Sequence, residues 1–562
     1  MLHAKWIRIG SGLVLGVVLA GCAGSGAQRS QAPAEAALPS DPNALVLGAE
    51  VALQRKQYRE AARAYVRAAQ LADDESLAEQ AARTAFEHHQ WTLVLAAAER
   101  WLELNPTNEE ARRFAAFAAL HLYQIDRAAE HLAFLLESAF INAQAGYLAL
   151  LPQLAEEGTP PAVTAVLQKL VERHPDLAES HYALARAALQ SENLALAAEH
   201  AKRATDIAPF WSRAALFRGQ MEMVQGDNEA GLATARGAIE QDPQEDYRLE
   251  YALMLMQAGR DEEGRRELTR LLENDATAPF AERALADIDF QMGDREGAKV
   301  RYTNLLSSGR YVYESLFYLG AIAESREAWD EAVQIYSRVT GGDLAVPSQV
   351  RAAVIKTRQK DLKTGLQHLE DFAATRPQYA LDVTVARANL LSSQGDRDGA
   401  IKLLESALKE YPDSAELRFA RVFQLEAADK VDAAVDEMRA LVKDRPGDPT
   451  AANALGYTLV DRTRHHREGL QYIESALAVT PDSGAVLDSM GWALHRMKRN
   501  EEALTYLERA SQRINDPEVD LHLGEVLLAL GRKDEALAKL KASQARFPNN
   551  EDLKKRLESL PN

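Results

Sequence analysis

The 562-residue chain contains a single cysteine, Cys22. That excludes a disulfide scaffold and a structural zinc cluster built on thiolates. Aromatic residues make up only 7% of the chain. Sheets are rich in aromatic and β-branched residues, whereas the frequent alanine here suits close-packed helices. Positive charge is in deficit: 65 Lys and Arg stand against 83 Asp and Glu, a formal charge of −18. Such a chain has no general attraction to nucleic acid or anionic lipid. With 47% hydrophobic and 26% charged residues, wholesale disorder is excluded. At about 150 residues per domain the length suggests three or four domains, a prior that fails for repeat arrays.

Catalytic signatures are also missing. There is no nucleophile-elbow serine, phosphate loop, HExxH pair or dinucleotide glycine fingerprint. His88-His89 and His465-His466 are the adjacent histidine pairs, and neighbouring helical residues point apart, a poor geometry for sharing a metal. His465-His466 also lies in Arg462-Thr463-Arg464-His465-His466-Arg467, a basic turn that repels cations. Acidic tracts such as Asp261-Glu262-Glu263 follow turns, where the first turn of a helix favours negative charge. The sequence therefore predicts no catalytic residues, no metal and no small-molecule substrate.

Residues 1–21 read as an export signal. Lys5 and Arg8 precede an apolar stretch, Ile9 to Leu19, too short to cross a bilayer as a helix. Leu19-Ala20-Gly21-Cys22 resembles the lipobox of bacterial lipoproteins. The resemblance implies cleavage before Cys22 and diacylglyceryl and acyl chains on it, enough for stable anchoring. Cleavage would remove Lys5 and Arg8 and no acidic residue, taking the charge to −20. Ala23 follows the cysteine, which by the same resemblance implies the outer membrane, periplasmic face. Residues 22–41 are small, polar and proline-spaced, the composition of a flexible tether. The lipid is the only prosthetic group expected.

The remainder follows a beat of about 34 residues. Prolines recur at Pro175, Pro209 and Pro243, and again at Pro377, Pro412, Pro446 and Pro481, with Pro106 and Pro548 in phase. Such a period marks stacked helical hairpins. Small residues fall where paired helices must nearly touch: Ala185, Ala197 and Ala204; Ala388, Ala400 and Ala407; Gly491, Ala503 and Ala510. Between helices lie Gln225-Gly226-Asp227, Gly259-Arg260, Gly293-Asp294, Gly395-Asp396 and Gly531-Arg532, in which glycine supplies a left-handed helix end. With Gly456-Tyr457, Gly491-Trp492 and Gly524 in first helices, the pattern resembles the tetratricopeptide repeat.

Units are expected to begin near 42, 75, 109, 144, 178, 212, 245, 279, 313, 346, 381, 415, 450, 484 and 517, giving about fifteen hairpins and an all-α solenoid. Residues 42–174 are degenerate repeats, 175–548 the regular array, and 549–562 a capping helix with Leu553, Leu557 and Leu560 turned inward. The resemblance implies a right-handed superhelix of roughly two turns with first helices lining its concave side.

Positions 2, 5, 9 and 12 of a first helix share a face. In the middle of the array that face supplies Leu216, Gln220 and Met223, then Leu249, Leu253 and Met256, then Phe280 and Phe290, then Phe317, preceded by Tyr182 and Arg186. Methionine and aromatic anchors there suit apolar segments of protein partners. The Lys and Asn set of the carboxylate-clamp subfamily is not reproduced in consecutive units. The segments around Leu455-Gly456-Tyr457, Met490-Gly491-Trp492 and Leu523-Gly524-Glu525 are similar to those of tetratricopeptide outer-membrane lipoproteins of the LbcA type. That likeness implies an adaptor that gathers a periplasmic carboxyl-terminal processing protease and its peptidoglycan-hydrolase substrates. The alternative expectation is an assembly factor, pilotin-like, for pilus, secretin or exopolysaccharide export machinery.

Overall fold

The computed structural model describes residues 41–138 and 142–560. The export signal, Cys22 and all of the tether but Asp41 lie outside them. Thirty-one α-helices, one short 3-10 helix and no strand occur among the described residues. Thirty of the α-helices form fifteen hairpin units, numbered here 1 to 15. Their first helices begin at Pro42, Glu75, Glu109, Ala143, Ala178, Ser212, Glu245, Ala278, Val312, Ala345, Ala380, Ala415, Pro449, Gly484 and Pro517. Each start lies within one residue of the position the 34-residue beat predicts.

Local chemistry fixes the boundaries. Asp227, Asp294 and Asp396 each accept a backbone N–H at the start of a second helix, from Ala230, Gly297 and Gly399. The glycine turns adopt the left-handed backbone expected of them, with φ of 99° at Gly226 and 90° at Gly395. The small positions are buried, Ala407 excepted, which is half-buried. In unit 6 the helices approach so closely that a Cβ on Gly219 would lie 2.6 Å from the Gly231 carbonyl oxygen. The array ends in the helix Glu551–Ser559, which buries Leu553 and turns its charges to solvent. Leu557 and Leu560, expected to point inward, are only half-buried.

Each hairpin passes its apolar face to the next, so the core is a series of small clusters strung along the array. One feature departs from this one-dimensional scheme. Nine units on, the superhelix comes round and touches itself, so fifteen units make about one and two-thirds circuits. The turns inside units 1, 2, 3 and 5 meet the loops between units 11 to 14. The Arg59 N–H donates to Glu410 Oε1 (2.7 Å) and Arg59 Nη1 to the Lys409 carbonyl (2.8 Å). Gln90 Nε2 donates to the Glu410 carbonyl (3.0 Å), and the Thr92 N–H to Asp413 Oδ2 (3.1 Å). At the centre of this seam, Arg445 Nη1 donates to the His121 carbonyl (2.6 Å) and Tyr123 Oη to the Gly447 carbonyl (3.2 Å). Arg445 is bound to Asp448 at 2.7 Å, and both side chains are less than a tenth exposed. Further along, the Leu194 N–H donates to Asp482 Oδ2 and the Asp482 N–H to the Glu192 carbonyl, each at 3.1 Å.

Candidate protein-binding surface

The inner face is located by contacts that skip a unit. Tyr457 Oη in unit 13 donates to Glu518 Oε1 in unit 15 at 2.6 Å, a reach possible only where first helices converge. On this face Thr450, Tyr457 and Asp461 are at least partly accessible, as are Asp382 and Asn389 in unit 11 and Glu416, Phe419, Phe423 and Glu426 in unit 12.

The sequence-selected residues divide when placed on this face. Leu216 and Met223 are buried against Leu232, Ala235 and Met254, and Phe317 is buried beside Tyr336. Tyr182 is only 6% exposed, packed on Trp211 and Phe217. These four are corrected from contact residues to core. Each first helix is sandwiched between two hairpins, so positions 5 and 12 turn partly into a neighbour. Arg186 remains half-exposed, donating to Tyr182 Oη at 3.3 Å with its guanidinium 5.3 Å from the Phe217 ring. Gln220, Leu249, Leu253, Met256 and Phe290 are half-buried. Leu249 and Leu253 pack against the cluster that holds Leu268 and Leu285, and Phe290 packs edge-on to Tyr318 at 5.0 Å. Phe280 is exposed and touches Tyr311. Cys22 lies outside the described residues.

One exposed aromatic on the inner face was not selected from sequence. Phe423, at position 9 of unit 12, is 59% exposed, with Phe419 one helical turn before it and carboxylates at Glu416 and Glu426. Applying the same four positions to later units would have found it. Asp382 faces Glu416 from the neighbouring unit. Desolvation in the concavity, and then repulsion and hydrogen bonding from Asp382, push the Glu416 carboxyl up to about 7.

Units 13 to 15 carry a linked polar cluster on the same face. Trp492 Nε1 and Arg496 Nη1 bind Asp461 Oδ1 at 2.9 and 3.1 Å. The Trp492 ring stacks on His522 with centroids 4.1 Å apart. His522 Nδ1 lies 2.9 Å from Asp488 Oδ1. Burial works against the His522 imidazolium, but the charge and hydrogen bond of Asp488 outweigh it and hold the pKa above the ordinary histidine value. Every member has a partner, so the cluster holds three first helices in register and presents Tyr457 and Trp492 at the surface.

No group of three or more metal-ligating side chains occurs among the described residues, and no described helix is long and apolar enough to cross a membrane.

Models of the tetratricopeptide repeat match residues 162–210, 283–343, 391–456 and 489–551, so the chain contains tetratricopeptide repeats there. A "TPR repeat-containing protein PA4667" of Pseudomonas aeruginosa is 32% identical over 209 residues, covering 37% of this chain and 35% of that protein. The human "Tetratricopeptide repeat protein 21B" is 28% identical over 185 residues, covering 33% of this chain and 14% of the relative. The chain therefore spans about a third and a seventh of the lengths of these curated relatives. Among solved structures, a thermophilic tetratricopeptide protein of Thermus thermophilus, TTC0263, is 24% identical with a TM-score of 0.30, covering 32% of this chain and 97% of its own. Yeast Tom70 is 14% identical with a TM-score of 0.29, covering 92% of this chain and 99% of its own.

Proposed function

We propose that this chain is a lipid-anchored scaffold of the periplasm that gathers protein partners on the inner face of its superhelix. The observation that carries the reading is the exposed Phe423, set beside Phe419 and flanked by Glu416 and Glu426, on the inner face of the repeat array. Accessible aromatic anchors on a rigid surface are the usual centres of protein recognition. An extended solenoid offers space for two partners at once. Holding both on one body raises their effective concentration to ~mM without any new contact between them.

The Leu19-Ala20-Gly21-Cys22 sequence supports attachment of the mature chain through lipid on Cys22 to the outer membrane. The likeness of units 13 to 15 to LbcA-type lipoproteins supports a carboxyl-terminal processing protease and peptidoglycan hydrolases as the partners. The test is affinity capture from detergent extracts, with partners identified by mass spectrometry. The wild-type chain is expected to recover a periplasmic protease and a wall hydrolase, and Phe419→Ser with Phe423→Ser to lose at least one of them while keeping its helical content. Recovery of neither by the wild type would refute the partner assignment. The anchor is tested separately: Cys22→Ala is expected to move the protein from the membrane fraction to the soluble periplasm.

A further inference from the structure

In a stack of hairpins the turns within units lie along one edge and the loops between units along the other. The seam covers the turn edge of units 1, 2, 3 and 5. Among the described residues no seam contact covers the turn edge of units 13 to 15, at the far end from Asp41, which opens the array at the loop edge.

This free edge carries a group of unpaired cations on a chain that is acidic as a whole. The turns of units 6 to 8 are acidic on balance, with Asp227 and Glu229, then Asp261, Glu262 and Glu263 beside Arg260, then Asp294 and Glu296 beside Arg295, whereas unit 10 carries Lys360 and Lys363. In units 13 to 15 the turns carry Arg464 and Arg467, Lys498 and Arg499, and Arg532 and Lys533, with Glu501, Glu502, Asp534 and Glu535 following in the first helical turns of units 14 and 15. Arg499 and Arg532 are paired within their own helices, to Glu502 and Glu535. Arg464, Arg467, Lys498 and Lys533 are exposed, and their side chains form no ion pair among the described residues. Beside them the second helices of these units begin at His466, Asn500 and Lys533 with no side chain capping the first N–H groups, so backbone donors face the same rim. Between units 13 and 14 lies an open recess of about 600 Å³ lined by Arg464, His465, His466, Arg467, Glu468 and Met497. Its one carboxylate, Glu468, is tied down by Arg439 at 2.8 Å.

We propose that this basic rim is a second docking site, distinct from the inner face, for an acidic extended segment of a partner protein. Carboxylates of the segment would be held by Arg464, Arg467 and Lys498 across the recess, with Lys533 continuing the row and Met497 giving an apolar floor. At physiological salt charges act over only about 8 Å, so the −18 formal charge of the whole chain does not cancel the local field. A flat anionic membrane fits less well, because it would also meet the exposed Glu501, Glu502, Asp534 and Glu535 beside the cations. A narrow chain touches the basic turns alone.

The test uses the full chain and a fluorescein-labelled decaglutamate peptide, with binding read by anisotropy at about 0.15 M salt. Saturable binding is expected. Arg464→Ser, Arg467→Ser and Lys498→Ser together should weaken it about tenfold or more, with unchanged circular dichroism and melting temperature because all three side chains are exposed. Phe423→Ser should leave it unchanged, which separates this site from the inner face. Absence of saturable binding by the wild type, or equal binding by the triple variant, would overturn the proposal. In a parallel arm, vesicles of phosphatidylglycerol and phosphatidylcholine are sedimented with the chain. Vesicle binding that the triple variant loses, without peptide binding by the wild type, would assign the rim to a membrane and overturn the protein partner.

Discussion

The turns of units 1, 2, 3 and 5 and those of units 6, 7, 8, 11 and 15 share a backbone shape but not a chemistry. The second group passes through the left-handed region at Gly226, Gly259, Gly293, Gly395 and Gly531, and at each a Cβ would meet nothing within 4 Å. The first group reaches the same region at Lys56, His89, Tyr123 and Glu192, with φ between 53° and 58°. A non-glycine residue there costs about 1 kcal/mol. At Tyr123 and Glu192 the cost is met by contacts of the same residue: the Tyr123 hydroxyl reaches the Gly447 carbonyl, and the Glu192 carbonyl receives the Asp482 N–H. Five free turns use glycine, the residue least strained there, while the free turns of units 9, 12 and 14 reach the same region at Glu327, Asp429 and Lys498. Docked turns use residues that gain from a neighbour 286 to 351 positions away.

The strongest way to break this contrast is Arg445→Ala. It leaves Asp448 without its buried cation and removes the bond to the His121 carbonyl, a loss of about 3–5 kcal/mol. A lower melting temperature and a larger radius of gyration by X-ray scattering are expected, and an unchanged radius would show that the seam does not hold the circuits together. Gly395→Ala, at a free turn, should cost about 1–2 kcal/mol in urea unfolding through backbone strain alone, with the radius of gyration unchanged. Tyr123→Phe keeps the ring 5.3 Å from the Arg445 guanidinium and loses one hydrogen bond, about 1 kcal/mol. The same change at Tyr313, on an exposed rim, should cost measurably less.

The smallest effect lies on the inner face, away from any turn. A carboxyl whose pKa is raised on folding favours its protonated form. Its contribution to stability is therefore present below the ordinary carboxyl value and is lost as pH rises through the folded value, here about 7. Glu416→Gln should raise the melting temperature at pH 8 by on the order of 1 °C and leave it unchanged at pH 4, below the ordinary carboxyl value. The same shift at both values would show that repulsion from Asp382 is not its cause.

The helical stack was legible because its information is periodic. Prolines at 34-residue intervals, alanines at the crossings and glycines at the turns each recur, and fifteen unit starts follow from them to within one residue. The seam has no period and joins parts of the chain that no local pattern relates. Turn glycine is replaced by Lys56, His89, Tyr123 and Glu192 at the seam, but also by Glu327, Asp429 and Lys498 away from it, so the substitution does not mark the seam. The docking surface was half legible. Helical spacing put Leu216, Met223, Phe317 and Phe423 on the same side of their first helices, the first three toward its edges and Phe423 at position 9. Which of them is covered depends on the fit of the flanking hairpins, and that closed over the first three and left the last open.

A coil whose successive windings are fastened to each other cannot be lengthened gently. Pulled from its two ends, this molecule should first hold stiff and then yield abruptly as the windings part at Arg445 and Tyr123. The hairpins would uncoil elastically only afterwards. Anchored as proposed, the body would thus keep its shape under slack or modest tension and give way only above a threshold load.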